Sequence, residues 1–404
     1  MSTSWVTGLR AGLVGAAAAV AICVLPGGAL HADLDTSLFS EAAGKVTAGQ
    51  VPYRDFSLEY PPGALVPIVL PQLAGTDRYD EAFKALEMLF VALTIVVVAL
   101  AASAMGLTTK RVYASALLSA AAYVLLGPVL LIRFDAWPAL LTVAAIATLI
   151  AARRPMAFGL LGAAVATKLF PLVLLPAFTM FVSSKSHRRR SLVAFGVGGA
   201  AFTLPFVLLG PGGVASSLER QLGRGLEIES LGASALLVLH QLGLYTATVE
   251  PASGSFDLVG GVSEALSWSQ GAALVVMLVA ITTVFARSPR GSAQLVLASA
   301  ASVAAVVAFG KVLSPQFLVW VIPVVVLAVV ADDDFVGGAG LLLTTVLTWI
   351  LYPGLHEELV MLKGAAPAWL LFARDLLLVA LSIHLTRRLS RRRAVTPPAA
   401  VPRS

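Results

Sequence analysis

Apolar residues run along this chain in blocks of roughly 20, far longer than the short stripes of a soluble fold. The blocks cover residues 9–30, 83–107, 112–131, 137–152, 191–210, 262–286, 292–309, 315–331, 335–352 and 367–386. Each is predicted to be a membrane-crossing helix, because a lipid core forces backbone polar groups to bond within their own segment. Two further blocks break the pattern. Residues 156–183 carry Lys168, Pro171 and Pro176 in their middle and basic stretches at both ends. They are predicted to go in and return as two half-helices. Residues 61–74 hold four prolines, Pro61, Pro62, Pro67 and Pro71. As helix they would cover about 21 Å, short of a hydrocarbon core of ~30 Å. A re-entrant or interfacial segment is the expectation, and such backbone is tolerated only where protein or a cavity covers it.

The polar intervals orient the chain. Lys/Arg clusters occur at Arg10, Lys110–Arg111, Arg153–Arg154, Lys185 to Arg190, Arg287–Arg290 and Arg387 to Arg393. By the positive-inside rule they are cytoplasmic, as are both termini. The opposite face then holds 31–60, 132–136, 211–230, 245–261, 310–314 and 353–366. The fold class expected is an all-α polytopic membrane protein with about 10 to 13 segments. Residues 1–386 form one integral domain and 387–404 a basic, disordered cytoplasmic tail. Arg10 ahead of an Ala/Val-rich run resembles a signal peptide, but the continued apolar blocks favour a retained first helix.

Composition narrows the classes. Of the 404 residues, 58% are hydrophobic and 12% charged, about half the charged share of a soluble domain. The net charge of +6 sits in loops and tail, where it reports orientation rather than nucleic-acid binding. Cys23 is the single cysteine, so a disulfide framework and a cysteine metal site are excluded. There is neither a P-loop nor a G-x-G-x-x-G opening a helix. Any activated donor substrate must therefore arrive from the lipid phase.

Candidate chemistry gathers in the outer intervals. Between Asp35 and Gly49, apolar Leu38, Phe39, Ala42, Ala43 and Val46 recur at helical spacing, predicting an interfacial amphipathic helix. Asp35 can cap its N-terminus or act as a base at the rim of the first helix, and Asp33 is two residues away. In "VPYRDFSLEYPP", residues 51–62, Arg54, Asp55 and Glu59 either pair to brace the loop or face a substrate. Tyr53, Phe56 and Tyr60 are either interfacial anchors or sugar-stacking rings. In "RFDAWPALL", Asp135 can cap the following helix, whereas Arg133 runs against the charge bias of its face. Lys168, deep in an apolar hairpin, either snorkels or meets an anionic partner. "LERQLGRGLEIES" adds Arg220, Arg224, Glu227 and Glu229, and "FGKVLSPQFLVW" adds Lys311, Ser314 and Gln316. Cations at the outer rim of an apolar groove suit an amphiphile with an anionic head, a lipid phosphate above all. A transporter or lipid-linked-sugar flippase would use the same charges as a pathway, and a non-catalytic envelope scaffold is a third class.

The ordered set of "D-x-x-x-F" at Asp35 to Phe39, "G-x-x-PYRDF-x-x-EYPP" at Gly49 to Pro62, "RFDAWPALL", "ATKLFPLVLLP", "RGLEIES" and "KVLSPQFLVW" resembles glycosyltransferase family 87. This is a GT-C group of bacterial polyprenol-phosphate-mannose-dependent mannosyltransferases, and the likeness runs from about residue 30 to 385. The resemblance implies inverting transfer from a polyprenyl-phosphate sugar to a glycolipid or glycan acceptor on the external face of a bacterial plasma membrane, with no cofactor and no metal. It implies a first-loop carboxylate as general base, at Asp35, with Asp33 next and Glu59 third. Arg133, Lys168, Arg224 and Lys311 would hold the donor phosphate. Tyr53, Arg54, Asp55, Glu59, Tyr60, Asp135, Glu229 and Gln316 would contact sugar or acceptor. Where relatives have tyrosine, this chain has Phe39.

Overall fold

The computed structural model describes residues 3–25, 36–131, 133–252 and 254–391. Helices dominate the described residues: α1 (Thr3–Val24), α2 (Ser37–Thr47), α3 (Leu65–Val69), α4 (Tyr79–Ala104), α5 (Thr109–Leu126), α6 (Ala136–Ile150), α7 (Arg154–Thr167), α8 (Leu175–Phe181) and α9 (Lys185–Leu209). Then follow α10 (Pro211–Leu222), α11 (Leu231–Gln241), α12 (Gly261–Ala286), α13 (Ser292–Phe309), α14 (Leu318–Asp332), α15 (Phe335–Trp349), α16 (His356–Val360) and α17 (Ala365–Arg391). Among the described residues, nine helices are long and apolar enough to cross a membrane. The protein is an all-α polytopic membrane protein.

Burial sorts these helices into an inner and an outer set. α13 and α14 are buried on almost every side and form the centre of the main core with α4, α5, α6 and α17. α9 runs along the outside with only Ser191 buried, and its Val193, Val197, Leu204 and Leu208 are exposed. Water would penalise that surface heavily and lipid does not, so an apolar helix face without protein cover marks the membrane side.

The interruption expected within 156–183 is present, and it falls at the odd residue. α7 ends at Thr167, Lys168 is extended (φ −149°, ψ 147°), and a 3₁₀ turn over Phe170–Leu174 leads into α8. Residues Pro62–Ala74 form three short helical pieces in place of one helix. They pack against that break. A Cβ on Gly63 would lie 2.6 Å from Thr167 Oγ1 and 2.8 Å from the Ala166 carbonyl, so only glycine fits.

The two ends of the bundle differ. One carries the basic loops, and there Asp332 accepts from Arg388, Arg111 pairs with Asp333 at 2.8 Å, and His384 meets Asp334 at 2.7 Å. α1 begins and α17 finishes at this end, the former beside Ser103 at the close of α4. The other end carries α2, α10, α11 and a small antiparallel sheet of order β1–β3–β2, made from β1 (Leu226–Glu227), β2 (Val249–Ala252) and β3 (Ser255–Leu258). Neither α11 nor the sheet follows from the hydropathy pattern. An aromatic core fills the space under α2, where Phe39 stacks on Phe83 at 5.4 Å and Phe134 meets Tyr60 edge-on at 4.8 Å.

Candidate active site

The loop end encloses a chamber of about 390 Å³, within the usual range for a small-ligand site, ~300–1,000 Å³. Its wall draws on segments far apart in sequence: Glu59 and Tyr60, Arg133, Lys168, Arg224 to Glu229, Ser314 to Phe317, and Tyr352 with His356.

Helix α2 forms one rim. It starts at Ser37, Leu38 faces the chamber, and Phe39, Ala42 and Ala43 are buried beneath. Asp33 and Asp35 lie outside the described residues. Residues 51–60 are folded back on themselves. Tyr53 takes φ 69°, its N–H donates to the Phe56 carbonyl at 2.9 Å, and its hydroxyl donates to the Tyr60 carbonyl at 2.6 Å. Arg54 pairs with Asp55 through bonds of 2.8 and 2.9 Å, and Asp55 also accepts from the Val51 N–H at 2.7 Å. The guanidinium beside it holds the Asp55 carboxyl at about 2, well below the ordinary range. From α10, Ser217 Oγ donates to the Glu59 carbonyl at 2.7 Å and Arg220 donates to that of Leu58 at 3.2 Å. The loop is thus clasped from inside and outside. Glu59 and Tyr60 line the chamber; Tyr53, Arg54 and Asp55 do not.

The floor is made by the break after α7. Lys168 Nζ donates to Asp135 Oδ1 at 2.5 Å, and the Trp320 indole donates to the same oxygen at 2.7 Å. Rings of Phe134, Phe317, Trp320 and Tyr60 surround the ammonium at 4.9 to 6.0 Å. Opposite charge and aromatic faces together offset the desolvation of a buried amine. Asp135 does stand at the N-terminus of α6, but its side chain makes no cap bond. Glu87 of α4 does that instead, accepting from the Ala136 N–H at 3.2 Å. Arg133 lies over the Phe39 ring at 5.6 Å and also lines the chamber.

The far wall carries the remaining charges. Arg224 donates to Ser255 Oγ at 2.7 Å and stands 3.9 Å from Glu227. Gln316 follows Ser314 and Pro315 at the start of the turn into α14. Lys311, by contrast, sits outside the lining. Its ammonium donates to the Leu222 carbonyl at 2.9 Å, closing the C-terminus of α10, where a cation is favourable. Glu229 is held by buried Arg374 at 3.1 Å, which also grips Asp375 at 2.8 Å, and by His356 Nδ1 at 3.4 Å.

The sequence reading therefore names a set that this fold brings to one chamber in large part: Arg133, Lys168, Arg224, Glu59, Tyr60, Glu229 and Gln316. It missed Tyr352 and His356, and gave Glu227 no role. Two residues in "FARDLLL" do signal the hidden support, since Arg374 and Asp375 are charges inside an otherwise apolar span.

The family model described as glycosyltransferase family 87 matches residues 58–315. That is well over half of the chain, and the protein belongs to this family. It is a membrane glycosyltransferase. No curated protein matches the sequence.

Proposed function

We propose that this chain moves a sugar, mannose by its family resemblance, from a polyprenyl-phosphate donor to a hydroxyl of an envelope glycolipid or glycan, with inversion at the anomeric carbon. The observation that carries the reading is the chamber itself. Arg133, Lys168 and Arg224 share one wall system with Glu59, Glu227 and Glu229, and the short apolar segment Pro62–Ala74 follows directly on Glu59 and Tyr60. Cations of this kind suit a phosphate, and carboxylates suit sugar hydroxyls.

In the proposed reaction the acceptor oxygen attacks the anomeric carbon while its proton passes to a carboxylate. The carbon–oxygen bond to phosphate breaks, the electron pair stays on phosphate, and the leaving lipid gains one negative charge. Arg133 and Arg224 face that growing charge, and His356 adds a donor once protonated. Lys168 contributes its field from the floor, already shared with Asp135. Asp35 is the proposed base, with Asp33 and then Glu59 as successors. Thr36 and Ser37 separate Asp35 from Leu38 on the rim, three steps of chain that reach at most about 11 Å. The basic end of the bundle is assigned to the cytoplasm by the positive-inside rule, which puts the chamber on the external face of a bacterial plasma membrane.

The test is transfer by purified protein in lipid nanodiscs, with polyprenyl-phosphate mannose and extracted envelope lipids. Product is expected from the natural chain. Asp35→Asn should lose about 10²-fold or more in rate, the usual range for a general base, with an unchanged elution profile. Full activity in Asp35→Asn removes it as the base, and no product from the natural chain with this donor removes the donor class.

A further inference from the structure

Glu227 lines the chamber with its side chain almost wholly buried. Its N–H donates to the Lys311 carbonyl at 3.0 Å, and its Oε1 accepts from Ser314 Oγ at 2.8 Å with Arg224 at 3.9 Å. The other oxygen, Oε2, is buried and has no hydrogen-bond partner among the described residues. An ionised oxygen in that position is costly to keep, whereas a protonated one asks for an acceptor. Beside it stand the donors Arg224 and Ser314, whose hydrogen is already given to Oε1, and the carboxylates of Glu229 and Asp257, and none of these is a hydrogen-bond partner of Oε2. The absent acceptor is one that a substrate brings.

We infer that Glu227 acts as a neutral carboxylic acid whose Oε2–H donates to a non-bridging oxygen of the donor lipid's phosphate, beside Arg224, as the sugar departs. The inference rests on the phosphate-donor reading above. When the bond from anomeric carbon to oxygen breaks, the electron pair moves to phosphate and its charge goes from one to two. The Glu227 proton is shared with that new charge and is recovered when the lipid monophosphate leaves; the acceptor's own proton goes to the base.

The electrostatics around Glu227 support this state. Glu229 lies two residues on, Asp257 approaches from β3, and His356 faces it from α16, with Arg224 the nearest cation. Burial pushes the Glu227 carboxyl up to about 7, with Arg224 opposing and the two carboxylates adding. A phosphate monoester loses its second proton at roughly 6, so donor and acceptor are closely matched, which favours a strong shared hydrogen bond.

The probe is farnesyl monophosphate, the short-chain equivalent of the leaving lipid, titrated by calorimetry into the natural protein and into Glu227→Gln. Glutamine keeps the shape and a donor but cannot ionise. At about pH 6 the two Kd values should agree closely. By about pH 8.5 the natural protein should bind about tenfold more weakly than the variant, a difference of one pK unit in effect, because an ionised Glu227 then faces the dianion. A Kd ratio that stays constant across this range overturns the inference, since a purely structural glutamate gives an offset without a slope. Absence of farnesyl phosphate binding in both proteins at every pH overturns the phosphate-donor reading and this inference with it, and it is told apart by the missing heat.

Discussion

The chamber's charges divide into those already matched within the protein and those that substrate would complete. Lys168 belongs to the first group, since Asp135 and four rings hold it. Arg224 keeps a neutral hydroxyl partner, Ser255, and only a long approach to Glu227. Removing a charge-assisted bond to phosphate costs about 1.5–3 kcal/mol, so Arg224→Ala should raise the donor KM about 10- to 100-fold in the nanodisc transfer assay. Arg54→Ala lies outside the chamber and should leave that KM within twofold of the natural value, to the order of a surface ion pair. Glu227 makes a separate prediction through stability. Its folded value, about 7, lies above the unfolded value near 4.3. Its contribution is therefore present below the unfolded value and lost as pH rises through about 7. The melting temperature of the natural protein should fall between about pH 5 and 8, and that of Glu227→Gln should fall less. Equal slopes in a thermal scan would remove the assigned shift.

At the level of elements, the fold places charges by interrupting helices. Pro171 cannot donate to the Thr167 carbonyl, so α7 does not run on through the block, and Gly63 lets the 62–74 segment press against Ala166 and Thr167 beside the break. Gly63→Val should overpack that contact, costing about 1–3 kcal/mol or more, and should lower both melting temperature and transfer. Arg374, paired with its neighbour Asp375, ties α17 to Glu229. Arg374→Met leaves two buried carboxylates without their cation, a loss of about 3–5 kcal/mol, which detergent-solubilised thermal unfolding would register. Much of this arrangement was legible in the chain. Prolines and a lone lysine inside an apolar block mark an interrupted helix, and the 3.6-residue spacing after Asp35 marks α2, found at Ser37–Thr47. That Asp135 leaves the cap to another residue was not legible, because sequence spacing cannot show that Glu87, 49 residues before Ala136, fills that role. His356 and Tyr352 stayed hidden for a similar reason. They follow a long apolar span, and nothing local shows that the kink over Ile350–Leu355 returns them to the chamber. The small sheet escaped because two- and four-residue strands carry too little periodicity to read.

For the whole molecule, orientation is the claim on which the chemistry depends. Cys23 is the only cysteine, so Cys23→Ser provides a background for single reporters. A cysteine at Ser57, on the chamber end, should react with an impermeant maleimide in intact cells, and one at Ser186, among the basic residues, should react only after permeabilisation. Reversed labelling would put the chamber in the cytoplasm and exclude an external acceptor. The separation of the two ends follows from charge bias and hydropathy alone, whereas the convergence of residues 59, 133, 168, 224, 229 and 316 needs the three-dimensional packing of the inner helices. A density map of the protein in nanodiscs with a non-hydrolysable polyprenyl-phosphate sugar analogue tests that convergence most directly. The phosphate is predicted between Arg133 and Arg224, in hydrogen-bond reach of Glu227, with the sugar facing Glu59. Phosphate density outside this chamber, for example in the groove where Gly162 and Ala166 of α7 face Phe195 and Ala200 of α9, would contradict it.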